Sequence, residues 1–166
     1  MSRKMALLFA LAAVSLNGAA SAQAPAPPGP PVTPYGPAIG IAVAKKIAAA
    51  AVEEAKKVSA APDAIAIVDP GGALIYFERM DNAQIGSIAV AIDKARSAAL
   101  FRRPTKVFAD LLAKGNALPL ALRGAVPLEG GLPLISEGRL VGAIGASGGT
   151  GAQDGQVAAA GAAALK

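Results

Sequence analysis

The stretch Gly130–Asp154, GGLPLISEGRLVGAIGASGGTGAQD, constrains the fold of this chain more than any other. It reads as a strand (Leu132–Ser136), a tight turn at Glu137-Gly138, a second strand (Arg139–Ala146), a glycine-rich loop and a helix over Asp154–Leu165. Two apolar runs joined by a two-residue turn containing Gly signal a hairpin. In the second strand Leu140, Gly142 and Ile144 share one face, and Val141, Ala143 and Gly145 share the other. Both faces are apolar, so the strand is expected to be covered on both sides. Its glycines call for something packed closely against the backbone. A side chain at Gly145 should therefore overpack the interior, whereas one at Gly148 should strain a backbone of positive φ.

The loop Ser147-Gly148-Gly149-Thr150-Gly151 invites comparison with phosphate-binding loops and fails it. A Walker loop needs Lys and Ser/Thr where Ala152 and Gln153 stand, and the dinucleotide spacing needs Gly where Asp154 stands. Two readings remain: an anion site of free backbone N–H groups at a helix start, or a tight connection between strand and helix.

The remaining elements follow from periodicity and turn chemistry. Ala38 to about Ser59 has helical spacing, with Ile41, Ala44, Ile47/Ala48, Ala51/Val52, Ala55 and Val58 on its stripe. A pair such as Glu53–Lys57 dresses the opposite face. Ala64–Val68 and Leu74–Met80 are strands joined by the turn Asp69-Pro70-Gly71-Gly72. A second helix runs from about Ser87 to Phe101, with Ile88, Ile92, Ala95 and Ala99 as its buried stripe. Pro104 breaks it, Thr105 caps a third helix over Lys106–Lys114, and Gly115 closes that helix. Asn116–Pro127 is irregular. Two hairpins among helices give an α+β class: a mostly antiparallel sheet with packed helices in a single compact domain.

The N-terminus carries an address. Arg3 and Lys4 precede the apolar run Met5–Leu16, and Ala20-Ser21-Ala22 is a small-residue cleavage site. Residues 1–22 therefore read as a secretory signal peptide, cleaved near Ala22, which implies a periplasmic or extracellular protein. The run is short of the roughly 18 residues of a membrane span, so an integral membrane protein is not expected. Ala24–Pro37 holds seven prolines, and residues 23–37 read as an extended linker outside the fold, leaving 38–166 as the domain. Without Arg3 and Lys4 the balance is 14 basic to 11 acidic residues, scattered and with few aromatics, so nucleic acid is not an expected partner. The chain has no His, Cys or Trp, which removes thiol nucleophiles, Ser-His-Asp triads and Cys/His metal cages.

A polar cluster mid-chain is the second landmark. Arg79-Met80-Asp81 ends a strand, Lys94, Ser97 and Phe101 share a helix face, and Arg102-Arg103-Pro104-Thr105 forms the helix exit. That face lies off the expected core stripe, which leaves two readings: a solvated surface with Asp93–Arg96 pairing, or the wall of a cleft. Lys94 near Asp81 or Asp93 would suit acid–base work if burial lowered its pKa, against the plainer reading of a paired structural lysine.

Several ordered segments together resemble the GlcG/HbpS haem-binding family: AIAIVDPGGALIYFERMDNAQIGS, AIDKARSAALFRRPTKVF, GAVPLEGGLPL and GAIGASG followed by QDGQVAAAGAAAL. The resemblance runs from about Tyr35 to Leu165, with Ser97 in the family's K-A-R/K-T/S-A motif and Ala146 where the GVSG pattern has Val. It implies haem as ligand, in some members haem breakdown, and assembly into homo-oligomers. On that footing the candidate ligand-binding residues are Arg79, Met80, Asp81, Lys94, Ser97, Phe101, Arg103 and Thr105. Arg79, Lys94, Arg102 or Arg103 would meet haem propionates. An axial ligand would come from Met80, Tyr35, Tyr76, a Lys or a Thr hydroxyl. The residues favour a binding protein over a catalyst. The alternatives are an enzyme degrading haem or acting on a small organic acid, and an oligomeric interaction protein using the Gly-rich strand and Ala-rich last helix as packing surfaces.

Overall fold

The computed structural model describes residues 32–58 and 61–166. The expected signal peptide and residues 23–31 of the linker lie outside the described residues. The elements run α1 (Ile41–Val58), β1 (Ala64–Val68), β2 (Leu74–Arg79), α2 (Ile85–Phe101), α3 (Lys106–Ala113), α4 (Leu118–Ala121), β3 (Gly131–Ser136), β4 (Arg139–Ser147) and α5 (Gly151–Ala163). The short α4 lies inside the segment read as irregular.

The two hairpins join through their inner strands into one antiparallel sheet of order β2-β1-β4-β3. Glu137 and Gly138 have φ of 49° and 71°. Positive φ at both central residues matches the right-handed strand twist, which is why so short a loop closes β3 onto β4. Strand alternation then sorts the core. Ile65, Ile67 and Ile144 pack with α1 and α5 on one side, while Ala64, Ala66, Val68 and Ala143 pack with α2 on the other. The β4 strand is buried from Leu140 to Ser147 and is covered on both faces. Three layers result, with α1 and α5 over one face of the sheet and α2 over the other.

Helix α2 corrects the expected stripe. Its buried residues are Ser87, Ala91, Lys94, Ala95, Ser97, Ala98 and Ala99, whereas Ile88 and Ile92 sit at the margin. The cause is Gly145. A Cβ there would collide with the Ala91 carbonyl and lie 2.6 Å from the Ala95 amide nitrogen. The helix therefore rests its smallest residues, and its own backbone, on bare strand. The sequence alternation of size, rather than hydrophobicity, sets its rotation, and that rotation turns Lys94 and Ser97 inward.

The Pro-rich segment is also corrected at its C-terminal end. Tyr35 bridges Leu140, with the Gly36 amide donating to the Leu140 carbonyl at 2.8 Å and the Leu140 amide to the Pro34 carbonyl at 2.8 Å. Residues 34–36 thus pair alongside β4 beyond the point where β1 ends. Prolines are tolerated there because they flank the donors the ladder uses.

On α1 the charged pairs form one residue closer than expected, as Glu53–Lys56 at 2.6 Å and Glu54–Lys57 at 3.2 Å. Among the described residues no helix is long and apolar enough to cross a membrane.

Candidate functional site

The eight candidate residues do not line one cleft. Arg79, Met80 and Asp81, at the end of β2, line a cleft of about 420 Å³ together with Val52 and Lys56 of α1, Pro62 and Glu78. The strand alternation that sends Tyr76 and Glu78 toward α1, and the hairpin register that puts Arg79 opposite Ala64, place this cleft at one end of the sheet on the α1 side. Its floor is apolar (Val52, Pro62, the Met80 side chain) and its rim is charged. Lys56 is anchored by Glu53, whose carboxyl the Lys56 hydrogen bond holds below the ordinary carboxylate range. Arg79 is exposed and forms no ion pair among the described residues. A cation free to meet an anion beside an apolar floor is what an amphipathic anionic ligand requires.

Lys94, Ser97 and Thr105 lie on the α2 side, all buried, and each is spent inside the fold. Lys94 Nζ donates to Asp154 Oδ2 at 2.6 Å and to the Ala146 carbonyl at 3.0 Å. The side chains of the Lys94–Asp154 pair are only 3% and 4% exposed. Asp154 Oδ1 accepts the Gly149 amide at 2.9 Å. The expected partners of Lys94, Asp81 and Asp93, are thereby corrected to Asp154, and Lys94 is a tie between α2 and α5 instead of an acid–base group. Ser97 Oγ accepts the Val126 amide at 3.0 Å.

Thr105 is the N-cap residue of α3, as expected, but its side chain makes no capping bond: its hydroxyl accepts the Gly131 amide at 3.0 Å, and its own amide donates to the Gly131 carbonyl at 3.0 Å. Removing that hydroxyl orphans a buried N–H. Thr105→Val is expected to lower stability by about 1–3 kcal/mol, read as a shift of the urea midpoint at unchanged slope. A midpoint equal to the parent's would show that the Gly131 amide finds another partner.

Phe101 and Arg103 form a third group. Phe101 packs edge-on against Phe108 with ring centroids 5.1 Å apart, and the Arg103 guanidinium lies 5.9 Å from the Phe108 ring centroid. Arg102 takes a left-handed conformation as the cap of α2, donates to the Thr33 carbonyl at 3.2 Å and stacks 4.9 Å over the Tyr35 ring.

The glycine-rich loop is a connection. Besides the Gly149 amide taken by Asp154, the Thr150 amide donates to Gln153 Oε1 at 2.9 Å, completing a capping box on α5. The anion at this helix start is thus the protein's own Asp154. Gly148 lacks positive φ. A Cβ there would collide with Asp63 Oδ1 and lie 2.5 Å from the Pro62 carbonyl, so close approach, not backbone strain, demands the glycine. The packing surfaces suggested for assembly are likewise used internally: Gly145 under α2, and Val157, Ala158 and Gly161 of α5 in the core, where a Cβ on Gly161 would meet the Ile47 carbonyl and Ala51 Cβ of α1.

Three further groups bear on metal ligation. The Met80 thioether packs into the α1–α5 core and accepts the Asp63 amide at 3.4 Å. The Tyr76 hydroxyl donates to Glu78 Oε2 at 3.1 Å, and that hydrogen bond, with partial burial, raises its pKa above the ordinary phenol range. The Tyr35 hydroxyl donates to the Leu100 carbonyl at 3.2 Å. Among the described residues no cluster of three His, Cys, Asp or Glu side chains is placed to hold a metal ion.

Sequence and fold point the same way in comparison with known proteins. Protein GlcG of Escherichia coli (strain K12) is 42% identical over 105 residues, which are 63% of this chain and 78% of GlcG. The PduOC–haem complex superposes with a TM-score of 0.69 at 32% identity, covering 76% of this chain and 94% of that one. A double mutant of Streptomyces reticuli HbpS superposes with a TM-score of 0.70 at 34% identity, covering 84% of this chain and 99% of that one. The model of the family described as "Haem degrading protein HbpS-like" matches residues 39–163. With a sheet of two hairpins between helix layers, and that match over nearly all of it, the chain belongs to the HbpS-like family.

Proposed function

We propose that this protein binds haem, or an anionic tetrapyrrole like it, in the cleft between α1 and the end of β2, and that it does so outside the cytoplasm. The observation that carries the reading is the cleft's chemistry: Arg79, without an ion pair among the described residues, and an anchored Lys56 share a rim with Asp81 and the Tyr76-bound Glu78, beside the apolar surfaces of Val52, Pro62 and Met80. Support comes from the solved haem complex of PduOC, which shares the fold. The volume falls within the ~300–1,000 Å³ usual for small-molecule sites. Arg79 and Lys56 would meet the propionates, and the apolar floor would meet the macrocycle.

The residues do not fit the iron equally well. Of the side chains that commonly ligate haem iron, the chain has no His or Cys, and Met80, Tyr35 and Tyr76 all have other partners. Titration of the purified protein with haemin is expected to give a saturable one-to-one shift of the Soret band. Arg79→Ala should weaken binding about tenfold, the loss of one charge-assisted hydrogen bond of roughly 1.5 kcal/mol. No saturable shift, or full affinity in Arg79→Ala, would overturn the assignment.

The site of action rests on the N-terminal sequence pattern. Export is checked by N-terminal sequencing of the protein from extracytoplasmic fractions, with Gln23 expected as the first residue. Assembly with copies of itself, suggested by the exposed apolar side chains of Leu118, Leu120 and Leu128, is checked by solution mass, where a monomer at micromolar concentration would refute it.

A further inference from the structure

We infer that the cleft recognises the porphyrin macrocycle and its carboxylates rather than the iron, so that metal-free protoporphyrin IX is as good a ligand as haem. The inference rests on the proposed haem-binding reading and deepens it. Its ground is a complete inventory of strong donors.

The chain holds three Met and two Tyr and neither His nor Cys. Met1 and Met5 fall in the segment proposed to be cleaved. Met80 is at the cleft, yet its sulfur is turned to the Asp63 amide and its side chain belongs to the core. Reaching an iron atom would uncover that core contact and orphan a backbone N–H. Tyr76 would have to lose its proton to ligate ferric iron, and the bond to Glu78 holds that proton in place. Tyr35 is tied to the Leu100 carbonyl and lies beside Pro70 and Gly71, at the turn that closes the opposite end of the β1–β2 hairpin from Arg79.

The weaker donors are no better placed. Lys56 lines the cleft as an ammonium paired with Glu53 at 2.6 Å, and an ammonium has no lone pair to give. The Thr105 and Ser97 hydroxyls are fully buried and accept backbone amides. What remains facing a ligand is an arginine fork, a lysine, the Glu78 and Asp81 carboxylates and apolar surface, and none of these is among the side chains that commonly hold haem iron.

The test compares haemin and protoporphyrin IX by Soret titration of the purified protein, followed by displacement of one by the other. The expected result is saturable binding of both, mutual displacement, and dissociation constants within about tenfold of each other, a difference below ~1.4 kcal/mol. Haemin bound more than about tenfold tighter would overturn the inference and leave the haem-binding reading standing. Binding of both without mutual displacement would overturn it as well, because the two would then occupy different sites. Saturable binding of neither would overturn the haem-binding reading and this inference with it.

Discussion

Gly145→Val is expected to leave the protein only marginally stable. The α carbon of Gly145 lies under α2, and any Cβ would run into the Ala91 carbonyl and come within 2.6 Å of the Ala95 amide nitrogen. Both are backbone atoms of a helix that also packs on β1 and β3, so no single side chain can swing aside. Overpacking a well-filled core costs about 1–3 kcal/mol when side chains can adjust. Here the helix itself must lift, so the loss should reach or exceed the upper end of that range. Against a typical domain stability of about 5–15 kcal/mol, that is enough to make the variant marginal. Urea unfolding followed by circular dichroism gives the midpoint. Gly145→Ala should fall between parent and valine variant, because one methyl already meets the same carbonyl. A valine variant as stable as the parent would mean that α2 does not rest on β4 at this position.

Breaking the Lys94–Asp154 pair should cost nearly as much, for a different reason. Replacing Lys94 by Met removes the cation and leaves the Asp154 carboxylate in a site 4% exposed, where, among the described residues, only the Gly149 amide still donates to it. Loss of one partner from a buried pair is worth about 3–5 kcal/mol, most of it the desolvation of the charge left behind. The double replacement Lys94→Met with Asp154→Leu removes both charges. It should therefore be more stable than Lys94→Met alone, even though it carries one more substitution. A double-mutant cycle by urea unfolding measures this coupling. Additive losses would show that the two groups do not feel each other, contrary to their 2.6 Å contact.

These two sites also mark what the sequence does and does not disclose. The strands were legible because their ends are written in turn chemistry. Asp69-Pro70-Gly71-Gly72 and Glu137-Gly138 fix both hairpins, and Asp69 Oδ1 accepts the Gly71 and Ala73 amides at 2.8 Å each, as the residue type at that turn position leads one to expect. The rotation of α2 was not legible. A hydrophobic count ranks Ile88 and Ile92 above Ala91 and Ala98, but contact with a glycine strand is decided by shape, and the smallest residues win. That count puts Lys94 on an open face, whereas its side chain lies inside.

Its partner was out of reach for another reason. Asp154 stands 60 residues away, and no local spacing relates a helix residue to the first turn of a helix beyond an intervening hairpin. Of the residues that line the cleft, Arg79, Met80 and Asp81 are legible in one dimension as a strand end with mixed charge. Val52, Lys56 and Pro62, which line the same cleft, carry no such local signal. Lys56 reads as one more charge on a solvated helix face until the packing of α1 against β2 brings it to the same rim.

The measurement that tests the central claim most directly is amide hydrogen exchange of the protein with and without haemin. The claim places the ligand between α1 and the end of β2. Exchange should therefore slow at residues 78–82 and around Asp63, with little change in the loop Ser147–Thr150, whose Gly149 and Thr150 amides already have internal acceptors. Protection centred on that loop, with residues 78–82 unchanged, would contradict the account and move the site to the start of α5.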